Sequence, residues 1–257
     1  MNAIETLGFR TLSLVLHLGR LGAFVGRIAR ASVLPPTRVR RFVGEVFDVG
    51  VLSLPVVCLS GATVGAVLGL QSYVALSRFG AEGSIGAVVG IALIREFGPV
   101  VTALLVTGRA GSAMAAEIAS MVQTGQVDGL RMMSIDPVHF VVMPKAWGML
   151  FAMPLLSALF IVFAIAGGYA VVVQLLGLDP GSYLTSLEDA VDLHDDVMQS
   201  LVKSVVFGAI VAWIATYRGY TAEPTSSGVS AATTGTVVVA SVSVLLLDYV
   251  LTSLWGV

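Results

Sequence analysis

The sequence predicts an all-α, polytopic membrane protein, and this fold class follows from the composition and from how the apolar residues are distributed. Of the 257 residues, 56% are hydrophobic and only 12% are charged, whereas a soluble domain carries about 25% charged residues. The apolar residues form long continuous runs and not the alternating segments of a β-barrel. We therefore expect a single domain over residues 1–257, with an interfacial amphipathic helix, five transmembrane helices and a cytoplasmic helical segment between spans two and three.

The first predicted element is an N-terminal helix at residues 4–30 that lies in the membrane interface. Apolar residues recur on one face at helical spacing, namely Ile4, Leu7, Leu14, Leu18, Leu21 and Val25. Polar and basic residues occupy the neighbouring face, namely Arg10, Ser13, His17, Arg20 and Arg27. This pattern is typical of a helix that lies at headgroup level with its arginines near anionic lipids. Pro35 and Pro36 then end the helix.

Five apolar runs predict the transmembrane spans, at residues 49–77, 84–108, 141–177, 197–217 and 231–256. The first span contains Gly61, Gly65 and Gly69, a ladder of small residues that predicts close contact with another helix. The third run is longer than the about 20 residues that a straight span needs. We expect it to tilt, to bend at Pro154 or to extend beyond the bilayer. A polar, acidic segment at residues 179–196 separates it from span four.

The basic residues predict the orientation of the chain. Arginines crowd the region before span one, and Arg109, Arg131 and Lys145 flank the segment between spans two and three. Arg218 follows span four. Cytoplasmic loops are enriched in lysine and arginine, so all of these positions are expected inside. The N-terminus is then cytoplasmic, and the C-terminus lies on the opposite side.

Span two carries a charged pair, Arg95 and Glu96, near its centre. Charged side chains inside a membrane are costly and usually face protein or water. Adjacent helical residues point about 100° apart, so we expect each side chain to have a different partner. Two interpretations stay open: a cavity that handles a charged or zwitterionic group, or buried ion pairs to neighbouring helices. Gly98–Pro99 follows, and we expect the helix to break there.

Two further charges lie inside predicted spans. Lys203 is about six residues inside the outer end of span four, and Asp248 is about eight residues from the outer end of span five. Because these spans are antiparallel, both charges reach a similar depth. We predict that they are neighbours and that the pair is structural.

The segment at residues 109–137 is the expected docking surface for a soluble partner. Apolar residues recur there at helical spacing, namely Ala110, Met114, Ala115, Ile118, Met121 and Val122. Glu117 and Asp128 are set among small residues, and Gly125 interrupts the pattern. A solvated connecting loop is the alternative, but such loops are usually short and polar. Methionines suit an adaptable protein contact.

Motifs for chemistry are missing from the chain. It contains no GxxxxGK[ST] phosphate loop, and neither of its lysines, Lys145 and Lys203, follows a glycine. No Ser/His/Asp or metal-ligand pattern is present, and the single cysteine, Cys58, lies in an apolar run as a packing residue. We therefore expect no enzyme, metal site or cofactor in this chain; any ATP hydrolysis would belong to another subunit.

The chain resembles the MlaE/YrbE-type permeases, the membrane subunits of MCE-associated ABC transporters that move phospholipids. The most specific parts are the run IREFGPVVTALLVTGRAGSAMAAEI at residues 94–118, the GQVDGLRMM run ending at residue 133, and the Asp-Pro to Pro-Lys run at residues 136–145. The resemblance covers nearly the whole chain and includes the N-terminal helix followed by five spans.

This resemblance implies partners and a location. It implies a homodimer, two cytoplasmic ABC ATPase subunits that use ATP and magnesium, a periplasmic ring of MCE-domain protein, and phospholipid as the cargo. No nucleic acid is expected. It also implies the inner membrane of a diderm bacterium and a role in moving phospholipids between the inner and outer membranes, which maintains outer-membrane lipid asymmetry.

The resemblance also implies site residues. Those of the lipid pocket or gate map to Leu68, Leu76, Phe79, Arg95 and Glu96. The ATPase-coupling segment maps to residues 115–134, with candidate contacts at Glu117, Met121, Gly125, Asp128 and Arg131. The expected mechanism is mechanical, because this segment continues from span two. Closure of the ATPases would move the segment and reshape the cavity around Arg95 and Glu96.

Two other functions compete with this one. A proton-coupled secondary transporter would use Glu96 and Asp248 as proton carriers and would need no ATPase. A structural membrane anchor would have no transport path, so loss of Arg95 or Glu96 would change stability without changing lipid flux per folded complex.

Overall fold

The computed structural model describes residues 39–192 and 194–255, together with Gly19, Gly22, Phe24 and Gly26. The predicted interfacial helix at residues 4–30 therefore lies almost entirely outside the described residues. Phe24 is buried against Tyr217 and Tyr220, with ring centroids 5.5 and 5.7 Å away. Phe24 thus contacts the end of the fourth span.

The described part of the chain is helical throughout. Its α-helices are α1 (Val39–Gly50), α2 (Leu54–Ser77), α3 (Ile85–Ala92), α4 (Gly98–Val106), α5 (Ser112–Gln123), α6 (Gln126–Met132), α7 (Met143–Tyr169), α8 (Pro180–Ala190), α9 (Asp195–Tyr220) and α10 (Ser226–Trp255). Short π-helical segments join several of them, at Leu93–Phe97, Thr107–Gly111, Val138–Val142 and Ala170–Leu175.

Five continuous helical stretches are long and apolar enough to cross a membrane, within residues 39–192 and 194–255. They are Arg40–Ser77, Glu82–Gln123, Val138–Leu175, Asp195–Tyr220 and Ser226–Trp255. Each overlaps one of the predicted spans in order, but three begin or end well outside the predicted bounds. The first begins nine residues earlier because α1 runs into α2 through a single 3₁₀ turn at Val51–Ser53. The second runs on to Gln123, so span two and the following amphipathic segment form one helix.

The glycine ladder of the first span packs directly on the third. A Cβ atom at Gly61 would lie 2.7 Å from the Phe160 carbonyl oxygen, and one at Gly65 would overlap the carbonyl of Ala164. Gly167 on α7 returns the contact against Ala62. The predicted close approach is confirmed, and α2–α7 is the most extensive helix pair in the described fold.

A helix, α8, occupies most of the segment that the sequence indicated only as polar and acidic. Pro180 begins it, and the Asp179 carboxylate caps it by accepting from the Ser182 N–H at 2.8 Å. Tyr183 is fully buried with its ring 5.7 Å from that of Tyr169. Burial raises the pKa of Tyr183 to about 12, so this phenol is neutral at physiological pH. One buried face thus anchors an otherwise polar helix, and scattered polar residues hid this pattern.

The second span does not break at Gly98–Pro99. The helix instead widens into the π segment Leu93–Phe97, in which the Gly98 N–H donates to the Leu93 carbonyl five residues earlier. Pro99 then lies in the first turn of α4, and the N–H that it lacks leaves the Arg95 carbonyl, four residues earlier, to accept from the Lys203 side chain at 2.9 Å. The expected break is therefore replaced by a local widening at Arg95 and Glu96, and the helix continues.

Candidate functional site

Lys203 is the centre of a charged cluster inside the helix bundle. Its side chain is 1% exposed, and its ammonium donates to Glu96 Oε2 and Thr252 Oγ1, both at 2.7 Å. Asp248 Oδ1 lies 3.1 Å away as an ion pair without hydrogen-bond geometry. Thr252 also donates to both Glu96 oxygens at 3.2 Å. One cation from α9 thus joins span two to α10.

The π segment supplies a further acceptor to this cation. Lys203 Nζ donates to the main-chain carbonyl of Arg95 at 2.9 Å. A regular α-helix would engage that carbonyl with an N–H four residues later. That residue is Pro99, which has no N–H, so the Arg95 carbonyl is free to accept from Lys203. π segments such as Leu93–Phe97 are frequent at functional sites.

Arg95 has a different partner from Glu96, as helical geometry requires. Its guanidinium contacts Asp196 Oδ1 through Nε at 2.7 Å and Nη2 at 2.6 Å. The other Asp196 oxygen accepts from the Asp192 N–H at 3.0 Å. Asp196 is 1% exposed, so this buried carboxylate depends on Arg95 for its charge partner.

The cluster is buried on one side and open on the other. Lys203 and Asp196 are almost fully buried, whereas the side chains of Arg95 and Glu96 are 43% and 37% exposed. The exposed atoms belong to one cation and one anion side by side. This arrangement can present a positive and a negative group to a zwitterionic ligand, and the buried partners hold both side chains in place.

A second cluster lies where α1, α5 and α7 meet. Lys145 Nζ, 7% exposed, contacts Glu45 at 2.9 Å and Glu117 at 2.7 Å. Arg109, in the second π segment of the long helix, donates to the Asp48 carbonyl at 2.7 Å and to Ser53 Oγ at 2.8 Å. These contacts hold the C-terminal half of the helix Glu82–Gln123 against the first and third spans.

The predicted coupling residues fall on two short helices and the turn between them. Glu117 is bound to Lys145, and Met121 packs against the core. Gly125 forms the turn with a φ of +72°, a conformation that favours glycine. Arg131 contacts Asp128 at 2.8 Å and the Tyr220 hydroxyl at 2.7 Å. No described contact gathers these five residues into one cluster.

In the segment at residues 109–137, the exposed apolar residues are not the ones that the sequence predicted. Met114, Ala115 and Ile118 are buried inside the bundle. Met132 and Met133, at the end of α6, are 83% and 63% exposed. The periodic apolar stripe is therefore a packing face, and the C-terminal end of α6 is what a partner could reach.

The apolar pocket residues lie on a different element. Leu68 and Leu76 of α2 are half-buried against the core, and Phe79, in the turn after α2, is 86% exposed. The side chains of Arg95 and Glu96 contact α9 and α10. No described contact joins the three apolar residues to the charged pair.

Sequence reasoning missed Asp196, Thr252 and Glu45 as members of these clusters. Asp196 lies one residue before the predicted start of span four, and Glu45 lies in the basic region before span one. A signal was available for Asp196, because Arg95 is an intramembrane cation that needs a carboxylate, whereas Lys145 was expected on the cytoplasmic side. Choosing among the acidic residues required the helix rotations. Within the described ranges, no cluster of three His, Cys, Asp or Glu side chains could hold a metal ion.

These features define a class: a multi-pass helical membrane protein with an open charged site in one span and a long helix that runs from that site to a peripheral hairpin. The profile of the permease MlaE matches residues 42–254. The chain is 43% identical to the intermembrane phospholipid transport system permease protein MlaE of Haemophilus influenzae, across 99% of this chain and 97% of that one. The chain belongs to the MlaE permease family.

More distant relatives match over most of the chain. A probable ABC transporter permease protein of Rickettsia bellii is 38% identical across 99% of this chain and 98% of its own length. The chloroplastic protein TRIGALACTOSYLDIACYLGLYCEROL 1 of Arabidopsis thaliana is 32% identical across 79% of this chain and 58% of its own. The matches thus extend from bacterial permeases to a chloroplastic protein of a plant.

Proposed function

We propose that this chain is the permease subunit of an ABC transporter that moves phospholipids between the inner and outer membranes and maintains outer-membrane lipid asymmetry. The observation that carries the proposal is the full-length match to a phospholipid transport permease. The same match favours this function over proton-coupled transport by Glu96 and Asp248. Both of those carboxylates lie against Lys203, which gives them a structural role without any proton carrier.

The proposed assembly has two copies of this chain, two cytoplasmic ATPase subunits that use ATP and magnesium, and a periplasmic MCE-domain ring. It lies in the bacterial inner membrane with the N-terminus inside and the C-terminus in the periplasm, as the positions of Arg109, Arg131 and Arg218 favour. In this orientation the α5–α6 hairpin faces the cytoplasm. The Lys203 cluster lies in the periplasmic half of the bilayer.

The proposed coupling path is the continuous helix Glu82–Gln123. Its 42 residues extend about 63 Å at 1.5 Å per residue, which is twice the thickness of a bilayer core of about 30 Å. The ATPase would contact the hairpin at the exposed C-terminal end of α6, at Met132 and Met133. A push there would pass through the tight turn at Thr124–Gly125 into α5 and then along one continuous helix to the π segment.

In this proposal the open side of the charged cluster faces the lipid. Arg95 would take the headgroup phosphate, and Glu96 would take a positively charged headgroup amine or close the gate. Leu68, Leu76 and Phe79 would contact acyl chains or close the pocket. This assignment needs the second copy of the chain to enclose the cavity.

The experiment is purification of the tagged chain from its native locus in mild detergent, with mass spectrometry of the proteins and lipids. An ATPase, an MCE protein and phospholipid in the same complex support the proposal. ATP-dependent lipid transfer that stops when the ATPase is inactivated supports it further. Transfer that persists without ATP and follows a proton gradient would contradict it.

The role of the site is tested by Arg95→Ala, with lipid transfer measured per folded complex. The proposal expects a loss of transfer larger than the loss of folded protein. A structural anchor would instead lose folded protein alone, with the transfer of each remaining complex unchanged.

A further inference from the structure

An amphipathic cleft of about 630 Å³ lies between α9 and α10, at the end of the molecule opposite the Lys203 cluster. Its lining changes from apolar to polar along the helices. Ile210, Ile214 and Val239 line the deeper part together with one hydroxyl side chain, Ser243, and Arg218, Ser227 and Glu223 line the part near the helix ends. Arg218 lies two residues before the end of α9. Lys203 is 15 residues away along the same helix, or about 22 Å, so this cleft is separate from the site described above.

The guanidinium of Arg218 is held in the cleft without a carboxylate partner among the described residues. It lies directly over Gly235 of α10, so closely that a Cβ atom there would overlap Nη1. None of the ion pairs within residues 39–192 and 194–255 includes Arg218. A half-buried cation in this position suits an anionic oxygen from a ligand.

A second observation also indicates a missing hydrogen-bond partner. Trp213 lines the same cleft one turn deeper than Arg218, and its indole Nε1–H is buried without an acceptor among the described residues. A buried donor without a partner costs free energy. Because Nε1 is buried, a ligand ester or phosphate oxygen would accept from it only if the indole turned toward the cleft when the ligand binds.

The form of the cleft identifies the class of ligand. An apolar channel that leads from the middle of a span to a cation near its end has the two-part chemistry of a phospholipid. Glu223 is exposed at the mouth and offsets the charge of Arg218. The two side chains together therefore suit a zwitterionic headgroup, with phosphate on the arginine and ammonium near the glutamate, better than a headgroup with net negative charge.

We propose that this cleft binds one zwitterionic phospholipid from the adjacent leaflet, with its phosphate on Arg218 and an acyl chain along Ile210, Ile214 and Val239. The bound lipid would fill the gap between α9 and α10. It is a resident lipid at the far end of α9, and it is distinct from any cargo at Arg95 and Glu96.

Tryptophan fluorescence tests this proposal, because Trp213 is one of only three tryptophans. The full chain, with Trp147→Phe and Trp255→Phe, is purified in detergent and titrated with phosphatidylethanolamine that carries brominated acyl chains. Saturable quenching at about one lipid per chain is expected. Loss of a charged hydrogen bond should weaken the affinity about tenfold or more in Arg218→Ala.

A second variant keeps the positive charge of Arg218 but shifts its position in the cleft. Gly235→Ala displaces the guanidinium, which is the flexible end of its side chain, so the fold should persist while the lipid affinity falls. Arg78→Ala, at an exposed turn after α2, is the matched control and should bind like the parent. Quenching that is not saturable, or that is equal in Arg218→Ala and the parent, would overturn the proposal.

The headgroup and the acyl chain are tested separately. Inorganic phosphate at millimolar concentration should not displace the brominated lipid, and displacement would make this an anion site only. Brominated phosphatidylglycerol should bind more weakly than the ethanolamine lipid, and Glu223→Gln should remove that difference. Equal binding of both lipids by the parent would overturn the zwitterionic assignment.

Discussion

At the scale of the residue, Lys203 holds the centre of the bundle together because it is one buried cation against two carboxylates. The five ionised side chains of this cluster, Arg95, Glu96, Asp196, Lys203 and Asp248, carry two positive and three negative charges. Removal of a cation and removal of an anion should therefore have unequal effects. The inequality gives a direct test of the cluster.

Lys203→Met should destabilise the protein strongly, because it leaves Glu96 and Asp248 without their cation. We expect a loss of about 3 kcal/mol in the free energy of unfolding. Asp248→Asn should cost far less, since Lys203 keeps Glu96 and the cluster becomes neutral. Denaturant titration in mixed micelles measures both variants. Equal losses would show that Lys203 does not act as the shared partner.

Much of this cluster followed from the sequence. The spacing along antiparallel spans predicted that Lys203 and Asp248 would be neighbours, and the structure places them 3.1 Å apart. Helical geometry predicted different partners for Arg95 and Glu96. The partner Asp196 could not be chosen from Asp192, Asp195 and Asp196, because the choice depends on the rotation of α9. Periodicity alone does not fix that rotation for a helix with polar residues on several sides.

At the scale of the element, the contact between α2 and α7 depends on the absence of side chains at the glycine ladder. Gly65→Ala should cost about 3 kcal/mol of unfolding free energy, because the new methyl group meets the Ala164 backbone, which cannot move alone. Gly44→Ala is the control, since it lies in a helix with open space around it. That variant should be neutral or stabilising by up to about 1 kcal/mol. Similar melting curves for the two variants would count against close helix contact at Gly65.

The C-terminal end of α6, at Met132 and Met133, is the surface that we expect the ATPase to contact. Met132→Asp with Met133→Asp should weaken ATPase binding at least about tenfold by placing charges in an apolar contact. The fold should be unaffected, because both side chains are exposed. Pull-down of the purified ATPase measures the effect. Val162→Asp with Leu155→Asp would not serve as a control, because both residues lie in the third span. Glu82→Gln, at the other end of the long helix, is the matched control. Unchanged capture by the Met132→Asp, Met133→Asp variant would place the contact elsewhere.

The elements could be predicted better than their ends. The five apolar runs located all five long helices in order, because a membrane span needs one long apolar segment. Helix α8 was missed because its buried face is short. The continuation of span two through Pro99 was missed because it depends on a partner from another helix. Lys203 donates to the Arg95 carbonyl in the π segment. Local sequence rules count only the donor that proline removes.

At the scale of the whole molecule, one helix, Glu82–Gln123, connects the two charged clusters. The Lys145 cluster holds the C-terminal half of this helix against the first and third spans. The Lys203 cluster holds the middle of the helix against α9 and α10. A force at the α5–α6 hairpin therefore has a continuous path to Arg95 and Glu96. A nucleotide can shift this path only if it binds the two states with different affinity.

The most direct test is a pair of distances in the complete transporter. Cys58 is the only cysteine, so Cys58→Ala gives a background for spin labels at Thr124, beside the hairpin turn, and at Val88, in the membrane part of the same helix. Double electron–electron resonance then measures each label-to-label distance between the two copies, with and without ATP bound to a hydrolysis-deficient ATPase. If the helix moves as one lever, both distances shift together when ATP binds. A shift at Thr124 with none at Val88 would contradict it.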